Sequence, residues 1–300
     1  MNKTVSKGRC DGIRAVLAIV VVGVLVWVFV SDKPKEASVA APTPTAVATE
    51  GPAVAAPIDI VAVPITTGLP ANADGERTIM AKLNGQTVRI DLPTGGTPVG
   101  TALYFHGQGG DANGRMNASW LNSIRARGWA VASSDYHRSA WGNAAAVQDT
   151  KDLMAWAQEK SGQPVRLFIA ASMGSTTSLN TLIDGASPSC WYGVDPVVDL
   201  STVGSVHNSA QQIAEAYAGV LLSSGNPAAH LAALPLTTRY RIVASPGDTM
   251  VPAASNANSL EAYLSTAGFT VSSMTVSGEH GDASHFNGRD LAAFAVGCTA

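Results

Sequence analysis

The sequence predicts an α/β fold: a mostly parallel, doubly wound sheet with a small helical cap, preceded by one N-terminal membrane helix. Three observations carry this expectation. Short apolar strand runs alternate with helical patterns from about residue 100 onward. An antiparallel hairpin stands only at the front of that series. An unbroken apolar stretch with a basic flank precedes both.

The elements follow in order. Residues 1–14 carry Lys3, Lys7, Arg9 and Arg14 against one acid, Asp11. Ala15 to Val30 reads AVLAIVVVGVLVWVFV, about 24 Å of helix against a ~30 Å hydrocarbon core. Ile13 and Ser31 extend it, and Arg14 snorkels. Residues 15–31 therefore read as an uncleaved signal anchor with its basic end in the cytoplasm, because Ser31-Asp32-Lys33-Pro34 is a poor cleavage site. A cleaved signal peptide is the alternative. Residues 32–75 form an Ala/Pro-rich linker, with five prolines and eight alanines between Lys33 and Pro57. Residues 76–300 then form one domain at the cell membrane, outside the cytoplasm, or a secreted one if the leader is removed. Cys190 and Cys298 both fall there, and a disulfide and two separate buried thiols fit equally.

Within the domain, Thr78–Leu83 and Thr87–Leu92 flank Asn84-Gly85, the signature of a type I′ hairpin. A strand at Thr101–Phe105 leads into HGQGG and an amphipathic segment from Asn113 to Arg127. Trp129–Ser133 is a strand and Ala144–Ser161 a helix closed by Gly162. Val165–Ala170 is a strand and Met173–Asp184 a helix closed by Gly185. Val194–Val198 reads as a weaker strand. Asp199 to Leu236 is irregular and partly helical. Tyr240–Ala244 and Val271–Val276 are strands, Ala253–Ala267 and Phe286–Val296 helices.

Composition excludes several classes. The chain has 300 residues, 46% hydrophobic and 14% charged, with net charge −3. It is too apolar for a disordered chain. Residues 76–300 hold 13 basic and 16 acidic side chains, again −3, so the domain has no phosphate-neutralising surface for nucleic acid. Three cysteines build no disulfide scaffold.

The strongest chemical signal is Ala170-Ala171-Ser172-Met173-Gly174, between a strand and a helix. Small residues two before and two after a serine permit a sharp turn that exposes its hydroxyl. A serine needs a histidine to take its proton and an acid to orient that histidine. Asp248 and His280 each follow a strand, as Ser172 does, and so share one sheet edge. His106-Gly107-Gln108-Gly109-Gly110 follows another strand there. The backbone N–H groups of Gln108 and Met173 are candidates to hold an oxyanion.

These four pieces, with Gly247-Asp248-Thr249-Met250-Val251-Pro252 and Gly278-Glu279-His280-Gly281-Asp282 completing the set, make the chain resemble the α/β-hydrolase superfamily of bacterial esterase-like enzymes. The resemblance covers about residues 76–300. It implies a nucleophile at Ser172, an acid at Asp248, a base at His280 and a variable cap at residues 199–236. It implies a small-molecule or lipid ester substrate, with no metal or organic cofactor. Tyr136 and Trp141 look like pocket-lining material. Ala170 departs from the usual glycine of the serine turn.

Rival readings exist. His285 competes with His280 for the base, and Asp199 with Asp248 for the acid. Asp282 beside the two histidines is weak metal-site evidence. His106 is expected to brace the oxyanion loop by hydrogen bonds. Gly107 to Ala112 fits G-x-G-x-x-A with Asp135 as a ribose acid, which is a dinucleotide-binding oxidoreductase reading. A non-catalytic binding protein on a hydrolase fold is the other class.

Overall fold

The computed structural model describes residues 77–299, apart from 219 and 221. The expected anchor at 15–31 and the whole linker at 32–75 lie outside the described residues. Among the described residues no helix is long and apolar enough to cross a membrane.

The hairpin forms as its turn dipeptide predicts. Strands β1 (Arg77–Leu83) and β2 (Gln86–Leu92) pair antiparallel around Asn84 and Gly85, both at positive φ (47° and 85°). Six further strands follow: β3 (Gly100–Phe105), β4 (Trp129–Ser134), β5 (Val165–Ala171), β6 (Cys190–Val194), β7 (Arg239–Ala244) and β8 (Val271–Thr275). The sheet order is β1-β2-β4-β3-β5-β6-β7-β8. β2 meets β4 antiparallel, and every pairing beyond β4 is parallel. The inner strands β3, β4 and β6 are buried at every position. That is why they read as continuous apolar runs rather than alternating ones.

Helices cover both faces. α1 (Ser119–Arg125) and α6 (Gly288–Val296) pack on one side, around Trp120, Leu121, Trp129 and Leu291. α2 (Ala144–Ser161), α3 (Gly174–Ile183) and α5 (Ala257–Thr266) pack on the other, around Leu153, Trp156, Leu179 and Leu260. α2 has the bounds its sequence predicts, from the Asn143 cap to left-handed Gly162.

Two expectations need correction. The weak strand at Val194–Val198 is misplaced: β6 ends at Val194. Asp195 turns left-handed (φ 45°) and Pro196 has no N–H for a ladder. The amphipathic segment from Asn113 is helical only from Ser119, because Arg115 is left-handed (φ 56°) and residues up to Ala118 run through turns.

Between β6 and β7 lies the expected irregular cap. It contains one α-helix, α4 (Ser209–Ala216), and short 3₁₀ turns. Its apolar side packs Val203, Val206, Ile213 and Tyr217 against Trp141, Met173 and Val251.

Cys190 of β6 and Cys298 behind α6 form a fully buried disulfide that closes a separation of 108 residues. A loop of that length is worth about 3–5 kcal/mol in the chain-entropy account. Cys298→Ser is therefore expected to lower the unfolding free energy from urea titration by that amount, with a correspondingly lower midpoint, and reduced wild type should match it. An unchanged midpoint in the variant would refute the assignment of this stability to the bridge.

Candidate active site

The loops after β3, β5, β6, β7 and β8 meet at one sheet edge. Ser172 follows β5 directly and carries φ 51°, a left-handed conformation that costs a non-glycine residue about 1–3 kcal/mol. Its N–H donates to the Val194 carbonyl at 2.9 Å. Gly174 explains the tightness of the turn: a Cβ there would stand 2.3 Å from the Phe105 carbonyl oxygen. Ala170 is fully buried in the core, so the small residue before the serine is used for packing.

His280 joins Ser172 to Asp248. Its Nε2 lies 2.8 Å from Ser172 Oγ and its Nδ1 2.6 Å from Asp248 Oδ2. Asp248 Oδ1 accepts from the N–H groups of Met250 (3.0 Å) and Val251 (2.8 Å). Burial raises the Asp248 carboxyl pKa. The hydrogen bonds from His280, Val251 and Met250 and the His280 charge outweigh it and hold the group below its ordinary value. The chain can therefore relay the serine proton to an imidazole that a carboxylate orients.

The rivals occupy other positions. His285 is fully buried, with Nδ1 2.7 Å from Asp195 Oδ2 and Nε2 3.1 Å from the Ser277 carbonyl. Asp195 Oδ2 also accepts from the Gly281 N–H at 3.0 Å. This second pair ties down both flanks of the His280 loop. Asp199 caps the 3₁₀ turn at Leu200–Thr202 by accepting from Ser201 and Asn226. Asp282 accepts from the Glu279 N–H at 3.1 Å.

Gln108 lines the cavity beside Ser172. Neither its N–H nor that of Met173 donates to a protein acceptor among the described residues. The Gln108 side chain fastens the cap, donating to the His207 carbonyl and Gln212 Oε1, each at 2.7 Å. His106 Nε2 meets the Asp135 carbonyl at 3.1 Å and its Nδ1 the Gly107 carbonyl at 2.8 Å, so it braces this loop.

Tyr136 and Trp141 do not line the cavity, which corrects the expectation. Tyr136 stacks on Phe105 in the core, with ring centroids 5.0 Å apart. Trp141 is fully buried under the cap, and its Nε1 donates to Gln212 at 3.2 Å. Nothing in their local sequence separates pocket from core, because only the cap's path decides it. The dinucleotide reading meets a similar obstacle: both Asp135 oxygens are taken, by the N–H groups of Thr87 (2.9 Å) and Ala112 (3.1 Å). Asp195, Asp248 and His280 each place a ligand atom within 4.8 Å of the others, a spacing a metal could span. The hydrogen bonds above engage both ring nitrogens of His280, both oxygens of Asp248 and Oδ2 of Asp195, while Asp195 Oδ1 is buried without a partner.

No family model matches the sequence, and no curated protein matches it. Solved structures do match its fold. A puromycin-hydrolyzing peptidase of Mycobacterium tuberculosis superposes with TM-score 0.59 at 16% identity, over 76% of this chain; the chain spans 40% of the peptidase. EstE7, a homologue of HSL from a metagenome library, gives 0.59 at 15% identity, over 76% of this chain and 88% of its own. Esterase B from Lactobacillus rhamnosis gives 0.60 at 14%, over 76% and 87%. The fold is that of the α/β-hydrolases.

The lowered Asp248 value has a signed consequence for stability. The contribution is present in full above the ordinary value of 3.8 and is lost as the pH falls through the lower folded value. Urea midpoints of wild type and Asp248→Asn are expected to differ at pH 7 and to converge below pH 3.8. A gap that persists unchanged into acid would contradict this.

Proposed function

We propose that the protein is a serine hydrolase acting on carboxylic esters. One observation carries the reading: Ser172, His280 and Asp248 form a continuous hydrogen-bonded chain beside a cavity of about 330 Å³. Ser172 Oγ attacks the ester carbonyl while His280 takes its proton, and Asp248 fixes the imidazole tautomer. The N–H groups of Gln108 and Met173 hold the oxyanion. His280 then protonates the leaving alcohol. Water, activated by the same imidazole, releases the acid and restores Ser172. These steps require no metal or organic cofactor.

The domain works outside the cytoplasm, held at the membrane by residues 15–31. The buried Cys190–Cys298 bridge supports this, since such bridges persist in oxidising compartments. The apolar run, its basic flank and the Ala/Pro linker support a tether.

A fluorophosphonate probe should label wild type and leave Ser172→Ala unlabelled. On p-nitrophenyl esters of graded acyl length, Ser172→Ala and His280→Ala are expected to lose about 10⁴-fold or more in kcat. His285→Ala should retain far more activity than His280→Ala. The opposite order would transfer the base to His285, and an inert wild type would favour a binding protein. Protease shaving of intact cells should release the domain; protection of it would reverse the topology.

A further inference from the structure

The cavity beside Ser172 has two unlike walls. Val206 of the cap and Met250 make one of them apolar. Tyr104, Arg115 and Phe286 make the other. Tyr104 is fully buried, and its hydroxyl has no hydrogen-bond partner. Its ring meets Trp120 edge-on at 5.8 Å, and Trp120 meets Phe286 at 5.2 Å. The Arg115 guanidinium then lies 4.0 Å over the Phe286 ring. Among the described residues no Asp or Glu forms an ion pair with Arg115.

Arg115 is exposed, and the turn that carries it is held in place. Its backbone is left-handed (φ 56°). The turn around it is gripped by Arg89 of β2, which donates to Asn113 Oδ1 (3.3 Å) and Asn117 Oδ1 (2.7 Å), and by Arg125 of α1, which donates to the Met116 carbonyl (2.6 Å). Burial pushes the Tyr104 phenol above its ordinary pKa, and the Arg115 charge only partly opposes this, so the hydroxyl keeps its proton. One carboxylate also lines the cavity, that of Asp195; its Oδ2 accepts from His285 and Gly281, and its Oδ1 is buried without a partner. The wall thus presents a buried hydroxyl donor and a planar, multi-donor cation without a protein acceptor. A carboxylate offers the charge for the one and the acceptor for the other.

We propose that Tyr104 and Arg115 bind a carboxylate on the substrate, so that the preferred esters are half-esters of dicarboxylic acids. The inference rests on Ser172 being the nucleophile and names the substrate class of that site. A cavity of about 330 Å³ is on the order of 8 Å across, which puts the carboxylate on the order of four to six bonds from the scissile carbonyl. The apolar wall takes the small alcohol part.

The test compares methyl half-esters of glutaric and adipic acid with methyl pentanoate and methyl hexanoate, followed by pH-stat. Wild type should favour the half-esters in kcat/KM by about tenfold or more, and added salt should shrink the preference. Arg115→Gln should cut that ratio about tenfold, mainly through KM, and Arg115→Lys should restore part of it. Tyr104→Phe should cut the ratio several-fold. A wild type that favours the neutral esters, or an Arg115→Gln ratio equal to that of wild type, overturns the proposal. In those cases fluorophosphonate labelling of Ser172 and turnover of neutral esters leave the hydrolase reading standing. Absence of both labelling and turnover would sink the two together.

Discussion

The sheet edge depends on one close approach, between the first turn of α3 and the end of β3. Gly174 lets them touch: a side chain there would collide with the carbonyl oxygens of both Phe105 and His106, at 2.3 and 2.7 Å. The contact locks two loops into one register. The Ser172 turn leaves β5, and the Gln108 loop leaves β3, its hydrogen-bonded neighbour. A left-handed serine persists only where the surroundings over-determine it. Here they do, through β3 on one side and the Val194 carbonyl of β6 on the other. The Gln108 side chain then extends the same frame to the cap by its bonds to His207 and Gln212.

The second constraint is electrostatic. Asp195 and Asp248 close the adjacent strands β6 and β7 and share a small buried space. Two carboxylates so placed cost free energy unless each gains its own donors. They divide the donors of the loop after β8, and Asp248 adds two N–H groups of its own loop after β7. Asp248 takes His280 and two backbone N–H groups, and Asp195 takes His285 and the Gly281 N–H. Similar residues thus end in different positions. His280 has its far nitrogen on Ser172, whereas His285 has its far nitrogen on the Ser277 carbonyl of its own loop. The difference lies in loop geometry, since both rings face a carboxylate at almost the same distance.

That division also shows what sequence can and cannot disclose. Positions bound to a local rule were legible: the Asn84-Gly85 hairpin, the Gly162 end of α2, and the small residues around Ser172. The parallel order was legible because buried central strands have no polar face to hide. Residues whose meaning depends on distant partners were not. Asp195 carries no motif, and it acquires its neighbours only when β6 lies beside β7. Tyr136 and Trp141 are aromatic in loops near the site, and only the path of the cap sends one to the core and the other beneath Gln212. The misplaced strand at Val194–Val198 has a local origin instead. Its valines are as buried as Cys190, Trp191 and Tyr192, but left-handed Asp195 and Pro196, which has no N–H, end the ladder at Val194.

The low charge content of the chain gives weight to where buried charges sit. Away from the Ser172 edge, Asp91 is wholly buried in β2. It accepts from Arg89 at 2.9 Å, from Arg125 at 2.6 Å and from Thr78 at 2.8 Å. Buried ion pairs of this kind seldom add net stability over apolar packing. Its geometry offers another reason for it. Each guanidinium that Asp91 holds has further donors, and these reach Asn113, Met116 and Asn117 on the turn around Arg115. A carboxylate inside the sheet thereby stiffens a surface turn, at a place where helix α1 has not yet begun. The turn presents its one outward cation over Phe286, at the rim of the cavity that holds Ser172. Apolar residues at 89, 91 and 125 could fill the same volume but could not grip that turn. The ion cluster therefore serves orientation more than stability, and it links the interior of the sheet to the wall of the site.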